Sequence, residues 1–538
     1  MPWSWSSPRS SVTLAIVVAA FLALAADSTR SAPETYPVAD TATTSLATLQ
    51  AARGTLATGS YSQFGWKHPG PLLYQVLAGP YELSGRREIA LKWTALGLNL
   101  LWLGGLILIC GRQTPILAAS IVAALVPLLV REQRLLFSSW NPFVTVIALG
   151  CAIAAAADLA TGRAWRTRFG PTWLVVPLSF CIQAHAGLIV PSALCLLVAA
   201  VGLWWPTATA RAPQAAAPTM RTRLLIAAAI GVALWFTPLV DEVRHWPGNL
   251  HAMVTFLLDG DLPRGTWPQA TAGAAYMTLG PLLPGWVVDY DVIPASLPGW
   301  LPWTFALLVI AVAASAVRAH RRGDAFEAAF ALLCALISLA VIAAARGVVG
   351  PLRDYLLLWA TMVGALDVAI VLATLASGLA DRRGRADTRG ADTRAAAFVR
   401  GGGLALVCVV AWGIIGGLRL VDKHAGQAHD TTLRALSLDL IDYCDRHDIA
   451  RPLLAFAGEA SWQEAAGVVL QFDKIDRPIA VEETALYLVG PPFARTGRED
   501  ATFYMMPTSA AGLPADAGRT EWITTRGAQR IVRLRMPP

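Results

Sequence analysis

Charge is what this sequence has least of: only 15% of its 538 residues are Asp, Glu, Lys or Arg, against about a quarter in a soluble globular chain. With 55% hydrophobic residues and a mean hydropathy of +0.51, that scarcity excludes a water-soluble globule. Cys-x-x-Cys pairs are absent, and six of the seven cysteines sit in apolar runs, so neither a disulfide framework nor a zinc ribbon is implied. The seventh, Cys444, reads as a small apolar packing residue. Walker, HExxH, GxSxG and dinucleotide fingerprints are also missing. No internal repeat is found, which argues against the repeated halves common in transporters.

Long apolar runs are what the sequence does have. Crossing a hydrocarbon core about 30 Å thick takes about 20 apolar residues, and eleven runs approach that length. They lie near residues 11–27, 89–110, 114–131, 142–158, 171–184, 186–204, 223–240, 300–317, 325–345, 352–376 and 401–421. The fifth and sixth are short and join near Gln183 and His185. The first has a rival reading as a cleavable signal peptide, with Arg9 before it and Ala23, Ala25 and Ala26 at its end. Trp93, Trp140, Trp173, Trp204, Trp205, Trp300 and Trp303 fall near span ends, where indole rings favour the interface.

The net charge of +7 resolves once the charges are located. From Asp422 onward there are 13 basic and 16 acidic residues out of 43 and 36, so the basic excess lies upstream, in the apolar part. Nucleic acid is therefore excluded as the reason for it, and lipid is the main solvent. Arg163, Arg166 and Arg168, then Arg211, Arg221 and Arg223, then Arg318, Arg321 and Arg322, then the Arg-rich stretch 382–400, all fall in alternate loops. Arg-rich loops stay cytoplasmic. An N-in, C-out integral protein of the cytoplasmic (inner) membrane follows, with residues 27–88, 241–299 and 422–538 on the far side.

The expected fold is thus mainly α: a polytopic transmembrane helical bundle over residues 1–421 and a small extracytoplasmic α/β domain over residues 422–538. In the latter, residues 431–447 read as an amphipathic helix, 452–457 as a buried strand, 461–472 as a helix capped by Ser461 with Glu464 three residues on, 479–489 as one or two short strands, and 501–506 and 529–536 as further strands.

The first outer loop carries the most information. Residues 45–56 and 72–83 read as helices lying along the membrane, and between them runs Gly59-Ser60-Tyr61-Ser62-Gln63-Phe64-Gly65-Trp66-Lys67-His68-Pro69-Gly70-Pro71. An Asp soon after the first span, Asp40, precedes this aromatic G-W-x-H-P-G-P segment. Ser138-Ser139-Trp140-Asn141-Pro142 opens the fourth span, and Gln183-Ala184-His185 joins the fifth and sixth. With these passages the membrane part resembles the GT-C superfamily of polyprenyl-phosphate-sugar-dependent glycosyltransferases, nearest the protein O-mannosyltransferase and aminoarabinose transferase branch.

The resemblance implies a GT-C fold, a polyprenyl-phosphate-linked sugar as donor, a cell-envelope glycan, lipid or protein as acceptor, and a first-loop carboxylate acting as base or metal ligand. Asp40 takes that place. It is followed by Thr41, so the close acidic pair frequent in the family is missing, and a divalent metal is left open as cofactor. The chemistry itself asks for one base to deprotonate the acceptor hydroxyl and a few donors to hold the departing phosphate. Lys67 and His68, Gln183 and His185, and Arg346 and Arg353 at outer span ends are the substrate-binding candidates, with Arg131 and Arg134 beside them. Asp40 has a structural alternative as cap of a helix starting near Thr43. In the second outer loop, Asp241, Glu242, His245 and His251 give a weak metal pattern, outweighed by ordinary loop charge. The rival functions are a transporter or flippase of lipid-linked glycans and a non-catalytic envelope assembly protein.

Overall fold

The computed structural model describes residues 8–162, 170–204, 220–289, 291–294, 296–382, 431–456, 461–509 and 519–535. Fifteen helices precede the C-terminal region among these residues: α1 (Pro8–Ser31), α2 (Ala39–Ala52), α3 (Leu72–Leu83), α4 (Glu88–Gln113), α5 (Pro115–Arg131), α6 (Arg134–Phe137), α7 (Asn141–Ala160), α8 (Thr172–Ala184), α9 (Ile189–Trp204), α10 (Met220–Arg244), α11 (Asn249–Leu258), α12 (Trp267–Leu279), α13 (Leu301–Arg321), α14 (Ala325–Gly347) and α15 (Ala360–Arg382). Six are long and apolar enough to cross a membrane: α4, α7, α10, α13, α14 and the part of α15 from Ala360 to Leu379. Shorter apolar helices include α5, α8 and α11. The chain is an integral membrane protein on this composition, and the expected run at 401–421 lies outside the described residues.

By contact the chain divides into two compact units. One comprises residues 57–73 and 96–419. Its centre is α7, 89% of whose apolar window is buried, with α8, α9 and α14 packed around it. At the other extreme α10 has 11% of its window buried, and it leans on α8. Polar and small residues keep this core closely packed, as membrane bundles require where lipid supplies no hydrophobic contrast. Pro351 and the 3-10 turn Asp354–Leu357 delay the last helix to Ala360, later than the apolar run suggested. The cause is local: Asp354 accepts from the N–H of Tyr355 at 2.6 Å and of Asp289 at 2.8 Å, which draws this backbone out of a helix.

The second unit comprises residues 1–56, 74–95 and 420–538. Here α16 (Thr431–Arg446), β1 (Pro452–Phe456), α17 (Trp462–Lys474), β2 (Ala480–Val481), α18 (Leu486–Val489), β3 (Ala501–Pro507), β4 (Arg519–Arg526) and β5 (Gln529–Arg535) build a sheet of order β2-β1-β3-β5-β4. β1 pairs in parallel with β2 and β3, while β5 runs antiparallel to β3 and β4. The expected strands at 452–457, 501–506 and 529–536 are present. Residues 479–489 yield one two-residue strand and then helical turns. Ser461 precedes α17 but makes no capping bond; its hydroxyl donates to Gln529 at 3.3 Å instead. Trp93 is 4% exposed and packs edge-on against Phe21, so it is a core residue of this unit rather than an interfacial one.

Candidate functional site

Residues 59–68 form a tight hairpin-like loop. Gly59 N–H donates to the His68 carbonyl and His68 N–H to the Ser60 carbonyl, both at 2.8 Å, and Ser62 N–H reaches the Trp66 carbonyl at 3.0 Å. Gly65, at φ 81°, supplies the left-handed residue the reversal needs. Aromatic rings fix the loop on α11: Phe64 stacks on Phe256 with centroids 4.8 Å apart, and Trp66 lies 5.5 Å from the same ring. Asn249 clamps the backbone of Lys67 from both sides, accepting its N–H at 2.6 Å and donating to its carbonyl at 2.9 Å.

That loop delivers His68 to His185, the turn residue between α8 and α9. The two imidazoles stack with centroids 5.4 Å apart at 29°. Nδ1 of His68 accepts the Ala186 N–H at 3.0 Å, and Nδ1 of His185 accepts the Gly187 N–H at 3.1 Å. Burial pushes His68 down to about 3, with His185 as a second cause, and burial likewise pushes His185 down to about 4. Both rings are therefore neutral at physiological pH. Each has its Nδ1 lone pair occupied by a backbone donor, so each carries its proton on Nε2. The pair offers two Nε2–H donors and no basic nitrogen.

Gln183 supports this arrangement from beneath. It is fully buried, its amide donates to the Leu234 carbonyl at 2.8 Å, and its own carbonyl oxygen accepts the Gly70 N–H at 3.3 Å. A Cβ on Gly70 would overlap the Gln183 side-chain oxygen, which is why the G-P that follows His68 opens with glycine. Asn141, at the start of α7, donates to the Ala184 carbonyl at 2.9 Å. The three passages singled out in the sequence around residues 59–71, 138–142 and 183–185 thus meet in one place.

The cations divide by what they touch. Lys67 has no hydrogen-bond or ion-pair partner for its ammonium among the described residues, and burial holds that ammonium below the ordinary lysine range against the opposing pull of Asp241. Arg346 lies over the Trp267 ring at 5.8 Å, with its Nε buried and unpartnered among the described residues. Arg353 is not in a span; its backbone bridges to Val292 ahead of the 3-10 turn. Arg134 is engaged structurally, paired with buried Glu132 at 2.6 Å and donating to the Val288 carbonyl at 2.6 Å, and Arg131 donates to the Leu283 carbonyl.

In the second unit, Asp40 sits inside the first turn of α2, which starts at Ala39 with Val38 as its flanking residue. It is not the cap of a helix beginning at Thr43: the Thr43 and Thr44 hydroxyls donate to the Asp40 carbonyl at 3.1 and 2.8 Å, as residues already within the helix. Ala39 has φ 50°, a left-handed conformation costly for a residue with a Cβ. Ala39 is buried at 7% exposure, and Asp40 after it is half-buried.

The acidic and histidine residues between Asp241 and His251 serve structure. Glu242 accepts the N–H groups of Gly248, Leu250 and His251, the first at 3.1 Å and the second at 2.7 Å, capping α11, and His245 pairs with Asp241 at 3.0 Å. Among the described residues no three His, Cys, Asp or Glu come together as a metal ion requires. The described residues therefore do not fit a divalent ion held by protein ligands alone. Sequence reasoning missed Asn249, whose clamp on Lys67 has no motif, and the charged residues that hold α2, whose partners are remote in sequence.

No protein-family model and no curated protein matches the chain. Solved structures do. ArnT from Cupriavidus metallidurans in the apo state matches with a TM-score of 0.56 at 14% identity, covering 97% of this chain and 98% of that one. The same protein bound to undecaprenyl phosphate matches with a TM-score of 0.56 at 14% identity over 96% and 97%. The likeness is one of fold, and at that level it agrees with the resemblance drawn from residues 36–85, 138–142 and 183–185. Over nearly its whole length, membrane helices and C-terminal sheet together, the chain has the fold of ArnT.

Proposed function

We propose that the protein is a membrane glycosyltransferase that moves a sugar from a polyprenyl-phosphate carrier to an extracytoplasmic cell-envelope acceptor, with Asp40 as general base. Two observations favour a lipid-linked donor: the fold is shared with a protein captured with undecaprenyl phosphate, and the described chain has a set of neutral donors and a half-buried lysine suited to phosphate oxygens. In this reading eleven spans run N-in and C-out, and the site opens on the outer face of the cytoplasmic membrane.

The observation that carries the assignment of base is the pair of backbone N–H groups held by the two histidines. A general base needs a free lone pair. His68 and His185 have theirs occupied by the Ala186 and Gly187 N–H groups, which leaves them as hydrogen-bond donors. The base is then a carboxylate, and of those in residues 27–88 Asp40, which follows the left-handed Ala39, stands where the resemblance expects it, while Glu88 is already paired with Lys474 and hydrogen-bonded to Ser45 and Tyr81. The acceptor hydroxyl gives its proton to Asp40 as its oxygen bonds to the anomeric carbon. The carbon–oxygen bond to the phosphate breaks, the electron pair leaves with the phosphate, and a single displacement inverts the anomeric centre. Lys67 and the Nε2–H groups supply charge and donors for the phosphate; Arg346 and Arg353 are further candidates.

The test uses the purified full-length protein in liposomes, a panel of undecaprenyl-phosphate-linked hexoses and pentoses as donors, and a cell-envelope extract as acceptor. Asp40→Asn is expected to cut transfer by about a thousandfold, with undecaprenyl phosphate binding retained. Transfer at the wild-type rate would remove Asp40 as base.

A further inference from the structure

The C-terminal region is more than an appended module, because it encloses the helix that carries Asp40. An isolated helix of 14 residues, the length of α2, is marginal in water, so its order must come from what packs on it. Four sets of contacts hold it, all within one unit of the chain. At the entrance, α17 approaches so closely that a Cβ on Gly467 would lie 2.7 Å from the Pro37 carbonyl oxygen and 2.5 Å from Leu433. In its last turn, Gln50 donates to the Val489 carbonyl at 2.6 Å.

A buried cluster forms the third. Glu88 accepts from the Ser45 hydroxyl of α2 at 2.6 Å and from Tyr81 at 2.6 Å, and pairs with Lys474 at 2.8 Å, the two charged side chains being 6% and 7% exposed. At the exit, Arg53, the residue that ends α2, pairs with Asp473 at 2.6 Å and Asp476 at 3.0 Å and donates to the Asp473 carbonyl at 3.2 Å. Arg86 joins it, donating to the Lys474 carbonyl at 2.7 Å and pairing with Asp476 at 2.9 Å. Both guanidinium groups therefore sit on the C-terminal carbonyls of α17, where a helix favours cations. Arg86 and Asp476 are held at φ 64° and 54°, conformations that persist only when the surroundings over-determine them.

We infer that the C-terminal α/β region is a brace that positions Asp40 for catalysis, with Arg53, Glu88, Lys474 and Gly467 as positioning residues acting through α2. The inference rests on the reading of Asp40 as base. It assigns the C-terminal region a function in the reaction that requires no contact of its own with donor or acceptor.

The experiment is amide hydrogen exchange on the full-length protein in lipid nanodiscs, comparing wild type with Arg53→Ala and with Lys474→Met. In both variants peptides covering residues 41–52 should exchange about tenfold faster, while peptides of β1, β3 and β5 exchange as in wild type. The charge-reversed pair Arg53→Asp with Asp473→Arg should restore most of the protection. In the liposome assay, kcat should fall about tenfold or more in the single variants, recover in the reversed pair, and leave KM for the lipid-linked donor and undecaprenyl phosphate binding within about twofold. Unchanged exchange in residues 41–52, equal loosening of the sheet, or a loosened α2 with wild-type kcat would each overturn the brace. Failure of the underlying reading shows separately, as undiminished transfer by Asp40→Asn.

Discussion

The two units fix their segments of the stretch between α1 and α4 by opposite means. Around α2, full charges do the holding: Arg53, Arg86 and Lys474 against Asp473, Asp476 and Glu88. Around the aromatic loop 59–68, backbone bonds, one asparagine amide and stacked rings do it, and both histidines are neutral. Under the proposed function the difference matches what each segment would have to keep available. Fixed charges close to one another satisfy themselves, which suits a brace. A site that is to receive a lipid phosphate gains from donors that bring no counter-ion with them, since an incoming anion then displaces no existing pair.

This contrast can be broken at several points. The largest effect on the second region is expected from Gly70→Ala, because the new Cβ overlaps the Gln183 side chain in a fully packed place; a loss of about 2 kcal/mol in folding stability, seen as a lowered thermal midpoint, should accompany loss of transfer. A midpoint equal to wild type would show that the turn is not packed as described.

Two replacements of His68 separate its nitrogens. His68→Asn keeps an acceptor near the Ala186 N–H and removes the outer donor; His68→Gln does the reverse. Gln should retain about tenfold more transfer activity than Asn, while Asn should be the more stable protein. If activity follows stability in the same order, the imidazole acts through packing and not as a donor.

The third prediction concerns pH. The two histidines fold with values pushed down from 6.5 to about 3 and about 4. Below pH 6.5 the unfolded chain takes up protons that the folded one refuses, so stability is full above that pH and falls as pH drops, by up to about 1.4 kcal/mol per histidine per pH unit. The fall ends once the folded groups protonate. Thermal midpoints between pH 7 and pH 4.5 should therefore drop more steeply for wild type than for the double variant His68→Asn with His185→Asn.

Much of this was legible in the sequence where signals are local. The helix expected at residues 72–83 appears with those bounds, because an apolar face and a following Ser-Gly stop are neighbours in the chain. The turn at His185 separates two apolar helices as their lengths suggested. The start of α2 was not legible: it begins at Ala39 only because a non-glycine residue accepts φ 50°, which no propensity favours. β4 was missed because its exposed Thr520 and Glu521 and its bulge before Trp522 hide any apolar alternation. The contacts around Arg53 join residues 420 positions apart, a distance at which spacing carries no information. Arg353 falls just inside the apolar run near 352–376, whereas Asp354 binds the backbone into a turn before the helix begins at Ala360.

The central claim is that a carboxylate, and neither histidine, takes the acceptor proton. The measurement that tests it most directly is the pH dependence of kcat/KM for transfer from the undecaprenyl-phosphate-linked donor, in wild type and in His68→Gln with His185→Gln. The account predicts a rate that declines toward acid pH in both proteins with the same midpoint, lower in amplitude in the double variant, and no measurable profile in Asp40→Asn. An acid limb that disappears when the histidines are replaced, or that survives in Asp40→Asn, would contradict it.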